Sequence, residues 1–192
     1  MKLIVEVLLS LRVNALQIAP ELRKNLVYEI IRNDVFLLNT KHRNRFLIDL
    51  ITTPQPSLRH ALLSLISIVA STLKGVEYLL VNDQMIIITL IEILKGMGHK
   101  EDGSVNQRFL IAILQKVSIK TEAVPILFDL KIVDWSLDFI TRVLAKPVNG
   151  ETVMSSGVIF ALDFDSALLA NVLHAKTSHS RLLMPQNREF TV

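Results

Sequence analysis

Apolar residues recur at helical spacing along most of the chain, and polar breaks separate the apolar stretches. Leu58, Leu62, Leu65 and Val69, for example, fall on one face of a helix. No stretch between paired turns alternates apolar and polar residues in the way that a half-buried strand does. The pattern therefore predicts an all-α protein.

Candidate caps and breaks set the predicted helix ends. Pro20 suits a helix start, because its missing N–H would have had no partner there. Ser57 and Asp134 are candidate N-caps, and Ser104 with Gln107 fits a capping box. The helices are predicted at residues 2–17, 20–37, 46–51, a segment after Ser57, 75–81, 84–96, 105–119, 122–130, 134–146 and 152–175.

The middle of the chain contains two segments with the same pattern of apolar and polar residues, which indicates an internal repeat. Residues 57–96 and 105–145 each contain a long amphipathic stretch, a short apolar stretch, a polar break and a second long apolar stretch. Equivalent apolar positions lie about 48 residues apart, close to the period of about 40–47 residues of armadillo and HEAT arrays. The pairs are Leu62 and Leu110, Ile66 and Leu114, Val69 and Val117, and Val76 and Val124.

A unit of this kind cannot bury its apolar faces alone, whereas stacked units share a continuous core. The repeat therefore predicts an armadillo/HEAT-like α-solenoid, a right-handed superhelix of about four helical repeats. It is expected to cover residues 1–175, and residues 176–192 are expected to form a polar, flexible tail.

The composition is apolar, with 51% hydrophobic residues among 192. The longest apolar run, Met85 to Leu94, is broken by Thr89 and Glu92 and is shorter than the ~20 residues that cross a bilayer. Buried helices are therefore expected rather than a membrane partner. The first 16 residues loosely imitate a secretory signal, but their helical spacing favours a helix. The absence of cysteine excludes a disulfide framework and thiolate chemistry.

Basic residues concentrate between residues 23 and 45, although the formal net charge is only +3. A basic face in this region would steer binding toward acidic tails such as those of tubulin, while the plainer interpretation is an ordinary solvated surface. The candidate partner-binding residues here are Lys24, Arg32, Lys41, Arg43 and Arg45.

Candidate catalytic or metal groups are few. Asp134 and Asp138 can share a helix face, whereas Asp163 and Asp165 cannot. His99, Glu101 and Asp102 could ligate a metal, but their spacing matches no defined site. The sequence contains no phosphate-binding Gly-rich loop, nucleophile elbow or HExxH motif. No catalytic activity, cofactor or metal is predicted.

Four stretches resemble the armadillo region of the LisH-domain armadillo-repeat proteins of cilia and basal bodies. The more specific pieces are the LQKVS block, the later Trp135 and the sequence DFDSALLAN. The stretches are LRKNLVYEIIRNDVFLL (22–38), LRHALLSLISIVASTLKGVEYL (58–79), LIAILQKVSIKTEAVPILFDLKIVDWSLDFI (110–140) and LDFDSALLANVL (162–173).

The resemblance implies a non-catalytic scaffold in the cytoplasm and cytoskeleton, at the basal body or ciliary tip. It also implies that TOG-array microtubule-binding proteins, or tubulin, are partners, with roles in cilium assembly, axoneme stability and ciliary signalling. The family's LisH motif, coiled coil and acidic stretch are absent from this sequence. The family's dimerisation is therefore not carried over.

In many armadillo proteins, an asparagine on the third helix of each repeat holds the backbone of a bound peptide. The positions that match here are Ile68, Lys116 and Asn171, so only one of them carries the asparagine. Lys116 and Asn171 complete the set of candidate partner-binding residues. The alternative interpretation of Asn171 is a polar side chain that satisfies a neighbouring backbone group.

Other classes of function remain open at this point. A HEAT-like array that binds nucleic acid would need basic residues in a stripe across the repeats; here they thin out after residue 45, so nucleic acid is not the expected partner. A helical array that binds transport cargo is the other alternative. An all-helical enzyme would need converging ionisable groups in a pocket, which the sequence does not indicate.

Overall fold

The computed structural model describes residues 2–39, 45–81, 83–98, 102–145 and 155–182. Within these ranges, ten α-helices and a 3₁₀ turn at 121–123 account for most residues, and none is in a strand. The predicted all-α class is confirmed. The helices are α1 (Lys2–Gln17), α2 (Pro20–Arg32), α3 (Phe46–Thr52), α4 (Pro56–Val69), α5 (Leu73–Leu79), α6 (Met85–Gly96), α7 (Val105–Val117), α8 (Val124–Asp129), α9 (Ile132–Leu144) and α10 (Ser156–Leu182).

Some helix starts follow the predicted chemistry. α2 begins at Pro20, where the missing N–H costs no helical hydrogen bond. α7 begins after Ser104, whose hydroxyl accepts a 3.3 Å hydrogen bond from the Gln107 N–H. The Gln107 side chain in turn accepts a 2.6 Å bond from the Gly103 N–H. The capping pair is confirmed, with its return bond shifted by one residue.

The prediction that the second helix runs to residue 37 is wrong, because α2 ends at Arg32. Asp34 has a left-handed backbone with φ of 44°. Its carboxylate accepts a 2.9 Å hydrogen bond from the Leu38 N–H. Such local bonds from an aspartate compete with helical ones and turn the chain.

Two predicted caps are also wrong. α4 begins at Pro56, so Ser57 lies inside its first turn. α9 begins at Ile132, after Lys131 in a left-handed conformation with φ of 52°. Asp134 therefore sits in the first turn of α9, where a negative charge is favourable near the positive end of the helix dipole.

α10 is displaced from the predicted segment 152–175. It begins at Ser156 and continues to Leu182, beyond the predicted end at residue 175, so the prediction of a flexible tail from residue 176 is wrong for residues 176–182. Neither glycine nor proline occurs between Lys176 and Leu182, so nothing there breaks the helix. Residues 183–192 of the predicted tail lie outside the described residues.

Helices that are three apart in the chain pack in succession. α1 packs against α4, α4 against α7 and α7 against α10; α2 packs against α5 and α3 against α6. Consecutive pairs recur as well, since α3 contacts α4, α6 contacts α7 and α9 contacts α10. The series of α1, α4, α7 and α10 therefore continues along the chain, whereas the contacts of α2 with α5 and of α3 with α6 are not repeated to the same extent by α5 with α8 or by α6 with α9.

The duplicated segments keep their pattern in the structure. α4, α5 and α6 form the first copy, and α7, α8 and α9 form the second, each with a short middle helix. All four predicted pairs of equivalent apolar residues are buried, from Leu62 and Leu110 to Val76 and Val124. Ile66 and Leu114 are both fully buried, so the shared apolar pattern corresponds to a shared core.

Two arginines link successive helices in the same way, by a hydrogen bond from the side chain to a carbonyl at the end of the preceding helix. The Arg23 Nε donates a 2.8 Å hydrogen bond to the Ala15 carbonyl at the end of α1. The Arg59 Nε donates a 3.0 Å bond to the Ile51 carbonyl at the end of α3. Each arginine reaches eight residues back along the chain. Both guanidinium groups thus satisfy helix-end carbonyls that lack partners within their own helix.

Candidate interaction surface

A groove lies between α2 and the corner that joins α4 to α5. Its volume is about 580 Å³. Pro20 starts the α2 wall, and Thr72 caps α5 by accepting a 3.0 Å hydrogen bond from the Gly75 N–H. A Cβ on Gly75 would lie 1.8 Å from the Val69 carbonyl oxygen, so only glycine fits this corner. The principal lining residues are Arg23, Lys24, Val27, Tyr28, Leu73 and Lys74.

The charged part of this groove is basic. Arg23, Lys24 and Lys74 line it, and no carboxylate is among the described residues that do so. Lys24 pairs with Glu21 at 2.9 Å and Lys74 pairs with Glu77 at 3.1 Å, both three residues apart on exposed helix surface. Exposed pairs of this kind contribute little to stability. The lysines therefore remain accessible to other anions.

The carboxylate outside the rim is shared between two lysines. Glu77 pairs with Lys120 at 2.8 Å as well as with Lys74. The hydrogen bond from Lys120, followed by that from Lys74, lowers the pKa of Glu77 below its ordinary value. Lys120 lies just beyond the end of α7, so Glu77 links that segment to Lys74 on α5.

The apolar part of the groove is exposed. Tyr28 is 53% exposed and Leu73 is 61% exposed, beside the buried Val27. Tyrosine and other large side chains on a surface groove are typical of protein interfaces. The groove thus combines three cations with two accessible large side chains.

A second groove lies between α8 and α10 and has the opposite charge. Its volume is about 460 Å³, and Val124, Pro125, Phe128 and Ala175 contribute its apolar lining. Its charged lining residues are Glu122 and Asp129. The sign of the groove charge therefore changes between the α2 and α8 regions of the protein.

The structure describes three of the five predicted basic residues, Lys24, Arg32 and Arg45, and they do not all line the α2–α5 groove. Lys24 lines the α2–α5 groove. Arg32 is exposed in the last turn of α2, where it pairs with Glu29 at 3.4 Å. Arg45 is exposed immediately before α3. Lys41 and Arg43 lie outside the described residues.

Asn171 bonds within the protein. Its amide donates a 3.0 Å hydrogen bond to the Ser118 hydroxyl and a 3.5 Å bond to the Gln115 carbonyl. These groups are at the end of α7, so Asn171 links α10 to that helix. Lys116 is half-buried in the last turn of α7. The interpretation of Asn171 as a side chain that satisfies a neighbouring backbone group fits this geometry.

Two of the candidate aspartates, Asp102 and Asp138, form ion pairs with the same arginine. Arg142 contacts Asp102 at 3.3 Å and also pairs with Asp138. His99 and Glu101, the other members of the predicted metal-capable trio, lie outside the described residues. Across the described part of the chain, no group of three or more His, Asp or Glu side chains could hold a metal ion.

Asp165 is fully buried between α9 and α10, whereas Asp163 is exposed, as their two-residue spacing predicts. The Ser136 hydroxyl donates a 2.7 Å hydrogen bond to Asp165 Oδ1, and Oδ2 is buried without a partner. Burial raises the pKa of Asp165 to about 6, although the hydrogen bond from Ser136 opposes the shift. The sequence signal for this burial is the helical spacing, because Asp165 lies three residues after Leu162 and three before Leu168, on the apolar face of α10.

Trp135 is half-buried and packs against the core. Its ring stacks on Phe139 with 5.3 Å between centroids. This placement agrees with its interpretation as a core or inter-repeat anchor rather than an exposed interface residue.

One helix, Ser156–Ala175, is long and apolar enough to cross a membrane, with a mean hydropathy of 1.5. Length and composition alone are weak evidence, because core helices of other proteins pass the same test. In this structure the segment belongs to α10, which packs against α7, α8 and α9. The expectation of no membrane partner stays a prediction.

The fold and the groove define an all-helical protein in which helices three apart pack in succession. Comparison with known proteins adds no relative: no protein-family profile, no curated protein and no solved structure matches this chain.

Proposed function

We propose that this chain is an armadillo-like solenoid that acts as a non-catalytic scaffold for protein interactions. The observation that carries the proposal is the repeated unit: α4–α6 and α7–α9 share their helix pattern and their buried positions. The successive packing of α1, α4, α7 and α10 is the kind of contact that stacked repeats make. Arrays of this type bind partners on extended surfaces rather than in closed catalytic pockets.

The proposed setting is the ciliary basal body or tip, among cytoskeletal proteins. Its support is the sequence resemblance to the LisH-domain armadillo-repeat proteins, carried by the LQKVS block and the DFDSALLAN stretch. TOG-array microtubule-binding proteins and tubulin are the partners that this resemblance suggests. The basic α2–α5 groove is compatible with an acidic partner of that kind.

Proximity labelling of the tagged chain in a ciliated cell tests this function. We expect enrichment of basal-body or ciliary-tip proteins over a tagged, unrelated helical protein of similar size. A diffuse nuclear or cytosolic set of labelled proteins would contradict the ciliary assignment. A chain that labels no protein above the control would contradict the scaffold function itself.

A further inference from the structure

We infer that the groove between α2 and the α4–α5 corner binds a short acidic segment of a partner protein that carries one large apolar side chain. The inference rests on the proposed scaffold function, because it assumes that the partner is a protein. It goes further in assigning one site, with its charge and its apolar contact, to that partner.

The first support is charge complementarity. Arg23, Lys24 and Lys74 converge on one groove whose described lining carries no opposing carboxylate. The groove between α8 and α10 carries Glu122 and Asp129 instead. An acidic segment would therefore be attracted to the α2–α5 groove and repelled from the α8–α10 groove. The charged side chains of both grooves are near the protein surface, where they can steer the approach of a charged partner.

The second support is that the cations are available and well placed. Lys24 and Lys74 are 55% and 63% exposed in their side chains, and their present partners are neighbours on the same helices. A carboxylate of the partner can replace Glu21 or Glu77 with little loss, because such exposed pairs are weak. Arg23 is held in place by its bonds to the carbonyls of Ala15 and Leu16 at the end of α1.

The third support is the apolar contact area. Leu73 projects from the first residue of α5 and Tyr28 from α2, and both are more than half exposed. Large exposed side chains next to a basic patch fit an aromatic residue flanked by acids. Burying them would add apolar contact to an otherwise salt-sensitive interaction.

A binding experiment on the full chain tests the site. The probe is a fluorescein-labelled peptide of about ten residues, with glutamates on both sides of one phenylalanine, measured by fluorescence anisotropy. We expect saturable binding that weakens as the salt concentration rises from about 50 to 200 mM. The double variant Lys24→Glu with Lys74→Glu should weaken binding at least about tenfold. Leu73→Ser should weaken it several-fold without changing its salt dependence.

Arg32→Glu is the matched control, because Arg32 is an exposed cation of α2 that does not line the groove. It should change the dissociation constant by less than about twofold. Circular dichroism establishes that each variant is folded. If the double reversal does not fold, Lys24→Ala with Lys74→Ala replaces it, with a smaller loss of binding expected.

Four results would overturn the inference. The first is no saturation by about 1 mM peptide, and the second is equal binding of a peptide with lysine in place of glutamate. The third is an equal loss of binding in Arg32→Glu, which would indicate a diffuse basic surface. The fourth is tighter binding of a single-stranded RNA of about 20 nucleotides that depends on Lys24 and Lys74, which would assign the groove to nucleic acid. If the chain labels ciliary proteins but does not bind the peptide, this site is ruled out and the proposed function still stands.

Discussion

The phenol of Tyr78 on α5 donates a 2.6 Å hydrogen bond to the Asp34 carboxylate, which lies 44 residues earlier in the chain. The same hydroxyl accepts a 3.2 Å bond from the Phe36 N–H, and the two rings stack with 6.1 Å between centroids. Burial, followed by the hydrogen bond to Asp34, raises the pKa of Tyr78 above its ordinary value. The phenol therefore stays protonated and joins the turn after α2 to α5.

Tyr78→Phe should destabilise the protein by about 1–3 kcal/mol, because it leaves the buried Phe36 N–H without an acceptor. The measurement is the free energy of unfolding from urea denaturation. Tyr28→Phe is the control: Tyr28 is 53% exposed, so its variant should behave like the wild type. Equal, small effects of the two variants would mean that the hydrogen bonds of the Tyr78 hydroxyl to Phe36 and Asp34 contribute nothing.

Leu114→Ala tests the shared core of the two repeat copies. Leu114 is fully buried in α7, and the truncation should lower the free energy of unfolding by about 2–5 kcal/mol. Ile119, which is 59% exposed just beyond the same helix, gives the control Ile119→Ala with little change. An unchanged melting temperature for Leu114→Ala would show that the register of the repeat is wrong.

Asp165 should make stability depend on pH. Its pKa is raised from 3.8 to about 6 by burial, so the folded protein favours the protonated acid. This contribution is fully present below pH 4 and is lost as the pH rises through 6, by at most about 3 kcal/mol. The sign is opposite to that of an ion-paired aspartate.

Asp165→Asn should therefore be more stable than the wild type at pH 8 and lose that advantage at pH 4.5. The side-chain carbonyl of the introduced asparagine can still accept the hydrogen bond from Ser136, so the geometry is kept. Asp163→Asn, an exposed neighbour, supplies the control with no such pH dependence. Urea denaturation at the two pH values measures both, and a difference that does not change with pH would refute the buried-acid account.

Arg142→Met should destabilise the protein by about 3 kcal/mol, because it removes a cation from a carboxylate that is almost fully buried. The Asp102 side chain is only 3% exposed, and Arg142 joins it to α9 at 3.3 Å. Arg32→Met removes an exposed pair with Glu29 and should cost less than about 1 kcal/mol. Thermal unfolding of the two variants compares them directly; similar shifts would show that burial of Asp102 has no effect.

The helices and their buried faces could be predicted from the sequence, because apolar residues at helical spacing, such as Leu62 and Leu110, indicate burial directly. Helix ends were harder where the backbone takes a left-handed turn. Asp34 and Lys131 both do so, and neither is a glycine that would have marked the position. Local propensity permitted a longer second helix and a later start to α9, and tertiary packing selected the observed ends.

Only one wall of the α2–α5 groove could be predicted from the sequence. The density of basic residues near Lys24 indicated its α2 wall. Lys74 and Leu73 are about fifty residues further along the chain, and the packing of α2 against α5 places them opposite the α2 wall of the groove. Helical spacing places Asp165 on the apolar face of α10, but its hydrogen bond with Ser136 depends on how α9 packs against α10, which no local pattern of residues records.

The links that Arg23 and Arg59 make between successive helices also bear on how the chain tolerates changes in length. Each guanidinium meets a carbonyl at a fixed distance along the sequence, so one inserted or deleted residue between Ala15 and Arg23, or between Ile51 and Arg59, would pull the partners apart. Insertions are ordinarily best accepted in surface connections. These two connections should be exceptions, and length variants placed there should fold worse than the same variants placed elsewhere.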